Sequence, residues 1–266
     1  MPSDCHPGRH DDYTTVTELP GHGATREQIS MLHTRYRMAA ELGRGRDVLE
    51  LACGPGVGLG TLAGSANRVV GGDFDPELVR QAAGRYGDRV EVERIDAQAL
   101  PYGNHTFDVI LLLEAIYYLP DAGRFVAEAR RVLRPGGQVM ICTANRERPD
   151  FNPSPFTHHY YSAAELADLL AAEGFETQLF GAYPVAAPGI KQRLVGALRR
   201  LAVACRLIPR SMAWKIRLKR LVFGRLEPIP TELSVDPALC RDVIPLRRDQ
   251  SAAGFKVVYA IGRRAA

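Results

Sequence analysis

A chain of 266 residues with 46% hydrophobic and 24% charged residues can bury one large α/β core, and its composition excludes a disordered or fibrous protein. Its five cysteines, at positions 5, 53, 142, 205 and 240, form no CxxC pair, which argues against a disulfide framework or a zinc knuckle and suits a reducing cytosol. The net charge of +4 is unevenly spread: residues 177–226 contain eleven Lys and Arg and no acid, so the remainder carries −7, an acidic body with a basic insert.

Residues 1–24 read as a polar tail rich in Gly, Pro and His, without the apolar run of a signal peptide, and no later stretch approaches the roughly 18 apolar residues of a membrane span. The expected location is cytoplasmic, with peripheral membrane contact left open. In 25–44, Ile29, Leu32, Tyr36 and Ala39 recur at helical spacing. From residue 45 short apolar runs alternate with turns and amphipathic segments. Strands are expected at 48–52, 68–72, 90–95, 107–113 and 138–143, with helices starting near Gly58, Pro76 and Ala122. This is the pattern of a parallel sheet covered by helices. Asp75 before Pro76 reads as an N-cap with proline at the first helical position. Arg134-Pro135-Gly136-Gly137 stops the following helix, Ser162 and Glu165 form a capping box for a helix through Ala172, and Gly174 ends it.

Residues 184–250 read as a basic helical insert. Ile190, Leu194, Leu198, Leu201, Cys205 and Ile208 give one amphipathic helix, and a second basic piece spans 212–223. The chain closes with an apolar strand within 251–266.

The strongest local signal is VLELACGPGVG at 48–58: a buried strand, glycines where the backbone must turn and admit a ligand, then a helix N-terminus with unpaired N–H groups. Asp73, nineteen residues after Gly54, ends the next strand, where a carboxylate can accept from ribose hydroxyls. A nicotinamide fingerprint needs G-x-G-x-x-G, but counting from Gly54 and Gly56 the sixth place holds Leu59, which argues against a dehydrogenase.

VLELACGPGVG, GGDFDP, RIDAQALPYGNHTFDVI and RVLRPGGQVMI, in this order, resemble the motif series of class I S-adenosylmethionine-dependent methyltransferases of the small-molecule type, over roughly residues 45–180. The resemblance implies a doubly wound, seven-stranded, mostly parallel sheet with the last strand antiparallel and helices on both faces, preceded by a helical lid. It implies S-adenosylmethionine as cofactor and S-adenosylhomocysteine as product. Glu50 and the backbone at Ala52, Cys53, Gly54 and Gly56 would hold the methionine part, Ala52 standing where the family usually has glycine. Asp73 would take the ribose hydroxyls, Phe74 would flank the adenine, Asp96 with Ala97 would bind its exocyclic amine, and Glu114 would line the pocket. Tyr13 and Arg35 would belong to the lid over the cofactor.

A sulfonium methyl is already electrophilic, so the protein mainly aligns a nucleophile and excludes water, with a base needed only if the attacking atom starts protonated. Candidate base and pocket-wall residues are His158 and His159 with Tyr117 and Tyr118, and Tyr160 and Tyr161 beside them. No Asp, Glu and His cluster has metal-site spacing, so transfer without metal is expected. The expected partner is a small-molecule acceptor, a secondary metabolite being one class, modified at O, N or C; nucleic acid is disfavoured by the acidic body. The basic insert reads equally as a substrate lid or as a surface for anionic membrane. The chain is expected to be a monomer or homodimer. Two alternatives keep the fold: a cofactor-binding protein that transfers no methyl group, and a methyltransferase acting on a membrane-embedded lipid or quinone.

Overall fold

The computed structural model of the chain describes residues 17–149, 151–154, 156–185 and 226–265. Period-2 alternation in the apolar runs builds the sheet. Along β2 (Asp47–Leu51), β3 (Arg68–Asp73) and β5 (Phe107–Leu113), the side chains of Val48, Val69, Val109 and Leu111 join one buried cluster, while Leu49, Val70, Ile110 and Leu112 join another. Strands buried on both faces read as continuous apolar runs, as parallel strands under helices must. The remaining strands of this sheet are β4 (Glu91–Arg94), β6 (Leu133–Ala144), β7 (Phe175–Pro184), β9 (Ile244–Leu246) and β10 (Phe255–Arg264), in the order β4-β3-β2-β5-β6-β10-β7-β9.

Strands β3, β2, β5, β6 and β4 pair in parallel, and β10 lies antiparallel between β6 and β7. The chain runs outward from β2 through β3 to β4, then returns to place β5 on the other side of β2. That reversal opens a crevice at the carboxyl ends of β2 and β5, the usual ligand position in doubly wound sheets. Helices α1 (Arg26–Leu42), α2 (Leu59–Ala63) and α3 (Pro76–Tyr86) contribute Ile29, Leu32, Tyr36, Leu62 and Tyr86 to one face. Helices α4 (Ala122–Val132) and α5 (Ala163–Ala172) bury Phe125, Val126, Leu166 and Leu170 on the other.

The two expected caps are present: Asp75 accepts from Glu77 N–H before Pro76, and Ser162 and Glu165 cap each other; the structure adds Thr25, which opens α1 with a full capping box. The Arg134–Gly137 turn takes a different form from the one expected. It is a bulge inside β6, with Gly136 at φ 76° and a register shift opposite Phe107 and Val109, so the chain passes from α4 into the strand without a separate loop.

Two further differences concern the segment 184–250. The sheet has eight strands rather than seven, because β9 pairs antiparallel with β7, Leu246 opposite Leu179. Only Leu246 of its three residues is buried, too short a signal for periodicity to register. The described part of the segment is largely extended. It holds one 3-10 turn (Pro237–Leu239) and the strand β8 (Glu227–Pro228), which pairs with β1 (Gly23–Ala24). Strapping replaces helix formation here: Ser30 Oγ donates to Leu239 O, Asp236 N–H to His33 Nδ1 and Leu233 N–H to Val57 O. The basic helices expected at 190–208 and 212–223, and the tail with Tyr13, lie outside the described residues.

Candidate active site

The carboxyl ends of β2, β3 and β5 deliver Glu50, Asp73 and Glu114 to one crevice, and α1 closes its side. Together they line a cavity of about 450 Å³, a size suited to a small ligand. The loop after β2 turns through three left-handed residues, Ala52 (φ 53°), Gly54 (φ 57°) and Gly56 (φ 79°). Ala52 keeps a Cβ in a region glycine occupies freely, so the departure from glycine is accommodated at a cost of order 1 kcal/mol.

Gly58 has a different reason to lack a side chain. A Cβ there would collide with the ring of Tyr36, which packs over the turn so that its hydroxyl donates to Glu50 Oε1 at 2.6 Å. Glu50 is 1% exposed, and its second oxygen, Oε2, has no hydrogen-bond partner among the described residues. Burial pushes its carboxyl up to about 7, against the opposing pull of the Tyr36 hydrogen bond and of the Arg35 charge. Arg35, buried on α1, pairs with Glu18 through Nη2, while its Nε has no partner among the described residues. A buried acid with a spare acceptor and a buried cation with a spare donor thus face one cavity, and leaving both unmatched is costly. An α-amino acid, with its ammonium and carboxylate, supplies both missing partners.

Asp73 accepts Gly54 N–H at 2.8 Å and Asp75 N–H at 2.9 Å, which locks the glycine loop to the end of β3. Burial raises its carboxyl, and these backbone donors lower it. Phe74 is 51% exposed at the cavity edge with the Arg94 guanidinium 5.4 Å from its ring centre. Asp96 Oδ1 accepts Gln98 N–H at 2.9 Å, and Ala97 is buried beside it. Cys53 is buried, its thiol pushed up by burial, and its N–H bonds Gly72 O, so it packs the turn through its backbone. Glu114 Oε2 accepts from the Tyr117 hydroxyl at 3.1 Å.

Glu50, Ala52, Cys53, Gly54, Asp73, Phe74, Asp96, Ala97, Glu114, Arg35, Tyr117 and Tyr118 all line this cavity, while Gly56 shapes the turn behind it. The two histidines do not. His158 and His159 are exposed, because the loop that carries them is fixed with its rings outward. His158 N–H donates to Tyr117 O, and His159 Nε2 sits 3.7 Å from Glu165 and packs edge-on against Tyr161. Their loop acts on the cavity through Tyr160, whose ring stacks on Tyr117 at 4.4 Å.

Residues 49–141 match the family model described as "Methyltransferase domain". A probable S-adenosylmethionine-dependent methyltransferase of Mycolicibacterium smegmatis is 38% identical over 149 residues, 54% of this chain and 57% of that protein. The 27-O-demethylrifamycin SV methyltransferase of Amycolatopsis mediterranei is 31% identical over 142 residues, 51% of this chain and 49% of its own length. Residues 49–141 thus form a methyltransferase domain, similar to that of S-adenosylmethionine-dependent methyltransferases.

The chain spans about half the length of these relatives. In fold, the chain is matched by the [4+2]-cyclase SpnF, with a TM-score of 0.58 and 19% identity over 94% of this chain and 85% of that one. Several cavity residues lie outside the matched stretch and carry no motif. Glu18 precedes α1, Gln28 and Met31 lie on α1, Arg148 follows β6, and Lys256 stands on β10 with its ammonium on Glu27 at 2.7 Å. Among the described residues no helix is long and apolar enough to cross a membrane.

Proposed function

We propose that this chain binds S-adenosylmethionine in the 450 Å³ cavity and transfers its methyl group to an O, N or C atom of a small molecule by direct displacement. The observation that carries the reading is the unmatched pair at the cavity floor, Glu50 Oε2 and Arg35 Nε, which fits the amino-acid end of this cofactor. Glu50 would hold the ammonium and Arg35 the carboxylate once Glu18 yields its place. The left-handed loop at Ala52, Gly54 and Gly56 would let backbone approach the ligand. Asp73 would take the ribose hydroxyls, and Phe74, Asp96 and Ala97 the adenine. The bound cofactor supplies an electrophilic methyl on a sulfonium. The protein's own task is then to orient and desolvate: Tyr117, Tyr118 and Leu119 wall the acceptor side, and α1 shuts out water.

Calorimetry with S-adenosylmethionine and S-adenosylhomocysteine tests the binding; no heat with either overturns it. The cyclase of the same fold shows why transfer needs its own test, since fold alone does not select the reaction. Labelled methyl recovered in an acceptor from a small-molecule panel supports the transfer. Tight binding with no label in any acceptor favours a cofactor-binding protein with another role. A membrane-embedded lipid or quinone acceptor is the second reading, favoured by the eleven uncompensated positive charges of residues 177–226. Co-sedimentation with anionic vesicles that salt reverses is its expected sign, and protein left in the supernatant argues against it.

A further inference from the structure

The cavity holds a feature to which the cofactor contacts proposed above give no partner. Glu114 ends β5 with φ 56°, a left-handed conformation that a side-chain-bearing residue adopts at a cost and keeps only where its surroundings insist. The turn aims the carboxylate back into the protein. Its Oε2 accepts the Tyr117 hydroxyl at 3.1 Å and Ala144 N–H at 3.2 Å, and its Oε1 takes the Cys142 thiol at 3.6 Å. Tyr117 is itself immobilised, with Tyr160 stacked on it at 4.4 Å and Tyr118 edge-on at 4.6 Å. A phenol has one proton, and that of Tyr117 goes to Glu114, so its oxygen lone pairs remain as acceptors in the cavity wall. The neighbouring wall is formed by Tyr118, Leu119 and Pro120, an aromatic ring beside two apolar side chains.

We propose that Tyr117 and Glu114 form a proton relay for a phenolic acceptor: the acceptor hydroxyl donates to Tyr117 Oη, and Tyr117 passes its own proton to Glu114 as the methyl group is transferred. This rests on the methyl-transfer reading above and deepens it by naming the acceptor class. In the step, the acceptor oxygen's electron pair forms the O–CH3 bond while the S–CH3 pair returns to sulfur. One proton moves from acceptor to Tyr117 and one from Tyr117 to Glu114, which ends neutral and later loses its proton to water. No other reactant is needed.

The surroundings favour this direction. Burial raises the Glu114 carboxyl above the ordinary glutamate range, making it a better base, against the pull of Arg35 on α1. Also facing it are Glu18, Cys142 on β6 and Tyr259 on β10. Burial and the neighbouring Glu114, Tyr118 and Tyr160 hold the Tyr117 phenol far above its ordinary value, so Tyr117 conducts a proton without resting as a phenolate. Among the described residues no imidazole lines the cavity, so this pair takes the role that the exposed His158 and His159 cannot reach.

The test uses the full chain with labelled S-adenosylmethionine and a series of para-substituted phenols ending in 4-nitrophenol, which is largely ionised near neutral pH. The wild-type rate should depend weakly on phenol acidity. Glu114→Gln and Tyr117→Phe should slow weakly acidic phenols by about 10²- to 10⁴-fold while slowing 4-nitrophenol far less. S-adenosylhomocysteine affinity should stay within a few-fold in both variants, which also shows that they fold. Infrared difference spectra without cofactor should show the Glu114 carboxyl band, absent in Glu114→Gln, shifted in Tyr117→Phe by loss of its hydrogen bond. An equal loss for every phenol, or an unshifted band, overturns the relay. Label in no phenol, with cofactor binding intact, overturns the acceptor class. Failure of the wild type to bind S-adenosylhomocysteine removes the underlying reading instead. If Glu114→Gln alone loses the cofactor, Tyr117→Phe decides the outcome.

Discussion

The pH dependence of cofactor affinity follows from one carboxyl. Glu50 is buried with Tyr36 as its donor among the described residues, and its carboxyl is pushed up to about 7 from 4.5. A folded-state value above the unfolded one means that the native protein holds this proton more tightly. Its stabilising contribution is therefore complete below pH 4.5 and is lost as pH rises through about 7, an effect of about 3 kcal/mol. Cofactor binding reverses the preference, because an ammonium beside Oε2 needs the carboxylate. Affinity should accordingly level off above pH 7 and fall about tenfold per pH unit below it, about hundredfold at pH 5. Calorimetry at pH 6 in two buffers of different ionisation enthalpy should register a released proton. Glu50→Gln should weaken binding at pH 8 by about 2–5 kcal/mol, leaving the ammonium without its counter-charge, and should flatten the profile. A wild-type affinity constant between pH 5 and 7, or the same slope in Glu50→Gln, refutes the reasoning, since Asp73 or Glu114 would then be the titrating group.

Tyr36→Phe removes the one donor to Glu50 and should move the affinity midpoint to higher pH by about one unit, seen in the same titration. Gly58→Ala forces the Tyr36 ring off the turn and should cost about 1–3 kcal/mol in denaturant unfolding as well as weakening cofactor binding. Asp73→Ala strands the N–H groups of Gly54 and Asp75 and should lose about 1–3 kcal/mol of stability along with cofactor affinity, read by thermal melts with and without S-adenosylhomocysteine. His158→Ala and His159→Ala, both outside the cavity, should leave that affinity within about twofold by calorimetry.

How much of this was legible in the sequence depends on the range of the interaction. Strand positions, the cap at Asp75, the capping box at Ser162 and the glycine loop are written in residues a few places apart, and the structure reproduces them. The short β9 was hidden because one buried leucine in three residues leaves no period to detect. The histidines looked like candidates because they neighbour tyrosines in the chain. Which way a loop turns its rings is settled elsewhere, here by Arg146 bonding Tyr160 O at 2.9 Å and Glu165 at 2.8 Å. Glu18 and Lys256 reach the cavity from segments more than two hundred residues apart, and neither carries a pattern.

By itself the sequence determined β2 to β6, β10, the helices and the positions of Glu50, Asp73, Asp96 and Glu114 at strand ends, because hydrophobic periodicity and turn chemistry act locally, whereas β7 and β9 were not placed by it. Only the tertiary structure decided what those acids do. Glu50 is half-satisfied because the Tyr36 ring crosses Gly58. Asp73 braces the loop as well as facing the cavity, and Glu114 is joined to Tyr117 through a left-handed turn. Burial and missing partners, which set the chemistry of a carboxylate, depend on everything packed around it, and that environment comes from α1, β6 and β10 as much as from the motif itself.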